Sequence, residues 1–313
     1  MRLRSTWLTL TLVLVTYGVA PEPVARATAL AIVGGEPIDA TSYPSTGALV
    51  LSSADETLLV CTATLIAPRA LLTAAHCVAD DPSNPPDFTL SAEVSGLAPA
   101  FRLHAKRAYV NPAYDVQSPG SLHDIAIVEL DAPVDGVTPE SVLSPQSAPA
   151  LLRAGEAVEL VGYGATSADD DTLGTKNDAQ ATIASIGIDE MTVGGPGEAQ
   201  DCDGDSGGPS FVIDASGTRR IAGIVSRSAN DATACVDGSI HTRADAYADW
   251  INRILATIAA DDGSTTQASG CSVTPGGRAE GRFAWLAIGA LALATIRISD
   301  RRGARPRRRR ARR

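Results

Sequence analysis

Apolar and polar positions alternate differently in different parts of this chain. From residue 32 onward the apolar residues come in short runs, β-branched or alternating with polar ones. These runs lie at 46–52, 58–67, 125–130, 157–164, 210–213 and 220–226. Glycine, proline, aspartate and serine punctuate them, as they do in strands joined by turns. Many short strands and little helix predict an all-β domain, either barrel or sandwich. The period changes at 245–259, where Tyr247, Trp250, Ile251, Ile254, Leu255 and Ile258 recur at helical spacing. One amphipathic helix is predicted there, with Asp245 as its cap and a stripe that packs on a core.

Two more apolar runs flank this region. The run at 7–20 follows Arg2 and Arg4 and precedes Ala-x-Ala patterns that end at Ala31. It reads as a secretory signal over 1–31, with room for a very short pro-segment. The alternative is an N-terminal anchor, but the run is short for a span of ~20 residues. The run at 283–296 would cover only ~21 Å as a helix, against a hydrocarbon core of ~30 Å. The predicted organisation is therefore a leader (1–31), a β domain (32–260), a Gly/Ser/Thr-rich linker (261–270) and a tail (271–313).

The chain has 313 residues, 44% of them hydrophobic, which is enough for one large or two small domains. Its net charge of −10 conceals a split. Residues 32–270 hold 11 basic and 33 acidic side chains, while nine of the last thirteen residues are arginine. An acidic domain does not suit nucleic acid, whose phosphates need a basic surface. The cysteines are Cys61, Cys77, Cys202, Cys235 and Cys271. They form no Cys-x-x-Cys and have no matching histidine pair, so zinc is not expected.

The chemistry centres on Asp201-Cys202-Asp203-Gly204-Asp205-Ser206-Gly207-Gly208-Pro209. The backbone N–H groups of Gly204 and Ser206 can converge on one point, and such a pair stabilises an oxyanion. A serine hydroxyl needs a base, and an imidazole base needs a carboxylate to fix its tautomer. His76 in Thr73-Ala74-Ala75-His76-Cys77 and Asp124 in Asp124-Ile125-Ala126 supply those types. With Ile32-Val33-Gly34-Gly35 these make four motifs in a fixed order. Each string is weak alone; their ordered conjunction is specific. Over about 32–260 the chain resembles the trypsin/chymotrypsin family of serine proteases.

That resemblance implies two six-stranded Greek-key β-barrels with a C-terminal helix, and a serine endopeptidase that needs no cofactor or metal. It implies His76, Asp124 and Ser206 as the catalytic triad and Gly204 with Ser206 as the oxyanion hole. It pairs Cys61 with Cys77 and Cys202 with Cys235, which requires an oxidising compartment. It couples Ile32, freed by a proteolytic cut, to Asp205. It makes Ser226 both the first residue of the substrate-binding strand and a support for Asp124. Gln200, Asp201, Asp203, Arg227, Ser228 and Ser239 fall at the specificity pocket. Several depart from the family pattern: Gln200 takes the place of a trypsin aspartate, Arg227 that of a tryptophan, and Ser228 and Ser239 those of wall glycines. Small or polar residues are favoured before the cleaved bond, while Asp201 and Asp203 argue for basic ones. Asp80-Asp81 lacks the family's calcium-loop spacing. His104, His123 and His241 have no family role.

The tail resembles the myxobacterial MYXO-CTERM sorting signal: Gly270-Cys271, a short apolar helix and an arginine cluster. It implies processing and anchoring at Cys271; a permanent membrane anchor or a chance basic tail are the alternatives. The expected partners are polypeptide substrates, protein inhibitors and, through the tail, a membrane. The expected location is the cell surface or the medium. A catalytically silent homologue acting as a protein-binding surface module is the alternative function.

Overall fold

The structure, a computed structural model, describes residues 32–264 apart from 53–55, 95–100, 119–121, 167–172 and 232–234. The leader, Cys271 and the rest of the tail lie outside the described residues. β1 (Glu36–Pro37) attaches the start of the described chain to the second half of the domain. The first half is β2 (Thr46–Ser52), β3 (Thr57–Ala67), β4 (Ala70–Thr73), β5 (Asp87–Thr89), β6 (Ala105–Val110) and β7 (Ala126–Leu130). They pair antiparallel in the order β5-β2-β3-β4-β7-β6. The return of β5 beside β2 is a Greek-key crossing. Phe88 and Leu103 exchange two backbone hydrogen bonds of 2.9 and 2.7 Å, so the two edges of this sheet meet at one bridge. This half-barrel therefore lacks the full closing ladder, because β5 is only three residues long.

The second half holds β8 (Ser141–Val142), α1 (Ala148–Leu151), β9 (Ala157–Gly162), β10 (Asn177–Ile186), β11 (Glu190–Val193), β12 (Pro209–Ile213), β13 (Arg219–Ser228) and β14 (Ser239–Arg243). β9 pairs with both β10 and β12, which closes β9–β14 into a barrel. Its core includes Leu160, Ile183, Met191, Val193 and Val212, with Ile32 among them. The architecture is mostly β, with one half-barrel, one closed six-stranded barrel and a C-terminal helix, where two closed barrels were expected.

The six predicted strands appear with ends shifted by at most two residues. β4 and β7 are buried along their whole length, so their sequences run apolar without alternation. Glu129 is the exception within β7. It is fully buried and accepts from Arg69 Nη2 (2.8 Å), Lys106 Nζ (2.7 Å), Arg107 Nε (2.7 Å) and Tyr109 Oη (3.0 Å). Burial works against its charge, but those donors outweigh burial and hold its carboxyl below the ordinary value.

A single 3-10 turn, Asp245–Tyr247, leads into α2 (Ala248–Ser264). Tyr247, Trp250, Ile251 and Ile258 are buried in one cluster with Leu71 and Ile127 of the first half and Phe211 and Ile224 of the second. The predicted stripe is thus the seam that ties both halves together. Two details differ from expectation. The helix continues to Ser264, into the stretch read as linker. Asp245 does not cap it; its carboxylate takes the Arg243 guanidinium at 2.7 Å.

Candidate active site

His76 sits in the one-turn Ala75–Cys77 helix that follows β4. The Cys61–Cys77 disulfide, Cα to Cα 6.2 Å, ties this turn to β3. Asp124 lies just before β7, at the centre of a tight turn in which Ile125 N donates to His123 O at 2.8 Å. His123 enters that turn at φ +69° and holds it to the 3-10 turn that leads into α2, with Nδ1 2.7 Å from Tyr247 Oη.

The turn presents the Asp124 carboxylate to three donors. Oδ1 accepts His76 N at 2.9 Å. Oδ2 lies 2.8 Å from His76 Nδ1 and accepts Ser226 Oγ at 2.6 Å. Thr242 Oγ1 donates to the Asp124 carbonyl at 3.0 Å. Burial opposes the charge of Asp124. The bonds and charge of His76 and the Ser226 hydroxyl more than offset it, so the carboxyl stays below its ordinary value.

The Ser206 loop docks on the first half-barrel. Thr62 N donates to Ser206 O at 2.8 Å and Thr62 Oγ1 to Gly204 O at 3.1 Å. A Cβ on Gly207, whose φ is +80°, would stand 2.1 Å from Thr73 Oγ1 and 3.0 Å from Ala74 N. Only glycine lets the loop lie this close to the segment that leads to His76. His76 and Asp124 line a cavity of about 320 Å³ with Asp80, Tyr114, Val116, Ser226 and Arg227. Ser206 lines another of about 50 Å³ with Asp201, Asp203, Arg227, Ser228 and Ser239. Arg227 borders both. It is clamped by Glu190 at 2.7 and 2.9 Å and donates to Ser226 Oγ at 3.3 Å.

Asp205 turns inward from the same loop. Its oxygens accept Gly164 N at 2.7 Å and Cys202 N at 2.9 Å. Burial, then the charge of Asp201, raise its carboxyl well above the ordinary value despite those bonds. Gly162 and Gly164 leave the room that its side chain fills. Ile32 is fully buried, and Val33 exchanges bonds of 3.0 and 3.2 Å with Gln200. The Cys202–Cys235 disulfide, Cα to Cα 5.4 Å, holds the loop to the chain before β14.

Gln200 does not line the cavity beside Ser206. Its Oε1 accepts Gly238 N, and it borders an open cavity of about 820 Å³ with Val33, Gly34 and Cys235. Asp201 is in its place, paired to His241, a residue that sequence reasoning left without a role. Cys61, His76 and Cys77 are close enough together to suggest a metal site, but both sulfurs are spent in the disulfide.

Comparison with known proteins gives this geometry its context. Residues 32–251 match the family model described as Trypsin. A trypsin from Phaedon cochleariae is 28% identical over 260 residues, covering 78% of this chain and 96% of its own length. The serine protease Hayan of Drosophila melanogaster is 28% identical over 257 residues, covering 72% and 39%. The chymotrypsin-like elastase family member 1 of Bos taurus is 27% identical over 264 residues, covering 78% and 96%. The chain belongs to the trypsin family and is a serine-type endopeptidase.

Proposed function

We propose that Ser206, His76 and Asp124 form the catalytic triad of an exported endopeptidase. The observation that carries this reading is the chain of bonds Ser226–Asp124–His76. An ionised carboxylate only accepts, so His76 Nδ1 carries the hydrogen and Nε2 keeps a free lone pair. Nε2 then takes the Ser206 proton as Oγ bonds to the substrate carbonyl carbon. The oxyanion is held by the N–H groups of Gly204 and Ser206. Nε2 returns the proton to the amine as the C–N bond breaks, leaving an acyl-enzyme. Water repeats the two steps and releases the acid.

Activation in this reading is the release of the Ile32 amine. The raised carboxyl of Asp205 supports it, because a buried acid in that condition gains most from a cation. Ala29-Leu30-Ala31 offers signal peptidase a site that frees Ile32 directly; cleavage after Ala29 leaves a Leu30-Ala31 stub to remove. The two disulfides support export into an oxidising compartment. Cys271 is the proposed point of tail processing at the cell surface; intact mass of the surface protein ending near Cys271, without Arg313, is the expected result.

Ser206→Ala tests the triad. It should keep the fold and both disulfides while peptide hydrolysis falls on the order of a millionfold. Turnover at the parent rate, free of contaminating protease, would refute the assignment; a parent chain that hydrolyses no peptide would leave the reading of a silent binding module.

A further inference from the structure

Arg227 touches the proposed triad without belonging to it. It follows Ser226 on β13, and its guanidinium reaches over β14 to Glu190 on β11. Nη1 carries two hydrogens. One goes to Glu190 Oε1 at 2.7 Å and the other to Ser226 Oγ at 3.3 Å. Nη2 completes the clamp on Glu190 Oε2 at 2.9 Å. A serine hydroxyl has one hydrogen and two lone pairs. The Arg227 N–H takes a lone pair of Ser226 Oγ, so the hydroxyl hydrogen is left for Asp124 Oδ2, 2.6 Å away. A cationic donor also polarises the hydroxyl and strengthens the bond it gives onward. The chain of bonds is therefore longer than the triad: Glu190–Arg227–Ser226–Asp124–His76.

The other groups that face His76 are acidic or neutral. Asp80 and Tyr114 line the cavity that it shares with Asp124. Burial, then the charges of Asp124, Asp80 and Asp115, push the Tyr114 hydroxyl up, so it stays neutral. His123, beside Asp124, is engaged with Tyr247 Oη. Asp201 and Asp203 line the cavity on the Ser206 side. Among the residues lining either cavity, Arg227 is the one arginine or lysine. Its side chain is 29% exposed and that of Glu190 17%, so solvent screens them less than a surface pair.

We propose that Arg227 is a positioning residue for the triad: it fixes the Ser226 hydrogen on Asp124, and its charge, balanced by Glu190, sets the pH at which the His76 base is lost. This rests on His76 as the base and Ser206 as the nucleophile. A nearby carboxylate favours a charged imidazole and a nearby cation disfavours it. Arg227 therefore opposes the surrounding acids and keeps His76 able to take a proton as the medium turns acidic. Drawing Ser226 more firmly onto Asp124 acts in the same direction, because it spends part of the charge that Asp124 offers to an imidazolium. Glu190 acts in the opposite direction, since it cancels part of the Arg227 charge. The two members of one ion pair are thus assigned opposite effects on the same base.

The test uses enzyme that begins at Ile32 and reads the rate at which a fluorophosphonate labels Ser206, from about pH 5 to about pH 9. The reagent carries no peptide, so altered substrate fit stays out of the readout. Labelling should rise with pH as the base is freed, and the midpoint of that rise is the quantity compared. In Arg227→Gln the midpoint should move up by about half a pH unit or more. In Glu190→Gln it should move down. Arg227→Lys, which keeps the charge, and the double variant Arg227→Gln/Glu190→Gln, which removes both charges, should each lie nearer the parent than Arg227→Gln does. A merely structural role would slow labelling without moving the midpoint, or move it the same way in both single variants. Either result, or a midpoint in Arg227→Lys as far from the parent as in Arg227→Gln, would overturn the inference while the proposed nucleophile stands. Should Arg227→Gln not fold, the direction of the shift in Glu190→Gln decides. Parent enzyme that does not take the label at Ser206 refutes the proposed nucleophile itself, and the inference falls with it.

Discussion

At the scale of the residue, Asp124 is the hinge of the account. Three donors converge on its carboxylate, and they come from two segments far from it in sequence. Asp124→Asn presents an amide N–H to His76 and forces the wrong tautomer, so kcat should fall about 10⁴-fold with the fold intact. Ser226→Ala is the milder change. It removes the 2.6 Å bond to Oδ2 and leaves the His76 bonds in place. A hydrogen bond to a charged group contributes about 1.5–3 kcal/mol, so kcat/KM should drop about tenfold or more. Losing that donor raises the Asp124 carboxyl toward its ordinary value. The stability that this carboxylate lends above the unfolded value, and loses as pH falls through the folded one, should shrink accordingly. A pH series of thermal unfolding for Ser226→Ala beside the parent checks the sign.

At the scale of the element, strands were legible where branched residues cluster or alternate. β2 and β3 are of this kind. β10, Asn-Asp-Ala-Gln-Ala-Thr-Ile-Ala-Ser-Ile, was not, because its inward positions are mostly small and its pairing with β9 supplies what local pattern lacks. β14 was missed for a related reason: Ser239 and His241 face a buried polar network, and only the strand partners reveal it. The Gly-Asp-Ser-Gly-Gly string marked the loop that carries the proposed nucleophile. Which of its neighbours faces the pocket was not readable, since Gln200 and Asp201 point to different cavities. The helical stripe was legible in full, because a 3.6-residue period survives without any partner. Its energetic weight can be measured. Trp250 is buried in the cluster that spans both halves. Trp250→Ala should destabilise the domain by about 3–5 kcal/mol, read as a lower urea midpoint at unchanged slope.

At the scale of the whole molecule, the chain pairs an acidic protease domain with a strongly basic end. The start of the domain is the switch in the proposed mechanism. With residues still attached before Ile32, Asp205 carries a raised carboxyl and no free amine beside it. Between its unfolded value of 3.8 and its raised folded value, the folded chain binds a proton that the unfolded chain releases. Stability from this group is full below the lower value and is lost as pH rises through the upper one. The uncut chain should therefore gain thermal stability, relative to the chain that begins at Ile32, as pH falls through that raised value toward 3.8. Asp205→Asn in the uncut chain should remove that gain. Equal pH dependence in both forms would separate Asp205 from activation.

The most direct test of the central claim is where a fluorophosphonate reacts. Exported protein that begins at Ile32 is treated with the reagent, weighed intact and mapped by peptide digestion. One adduct per chain on Ser206 is predicted, forming far more slowly in His76→Ala because the hydroxyl has lost its base. A folded, disulfide-intact protein with no adduct on Ser206, or with the same labelling rate after His76→Ala, would contradict the account.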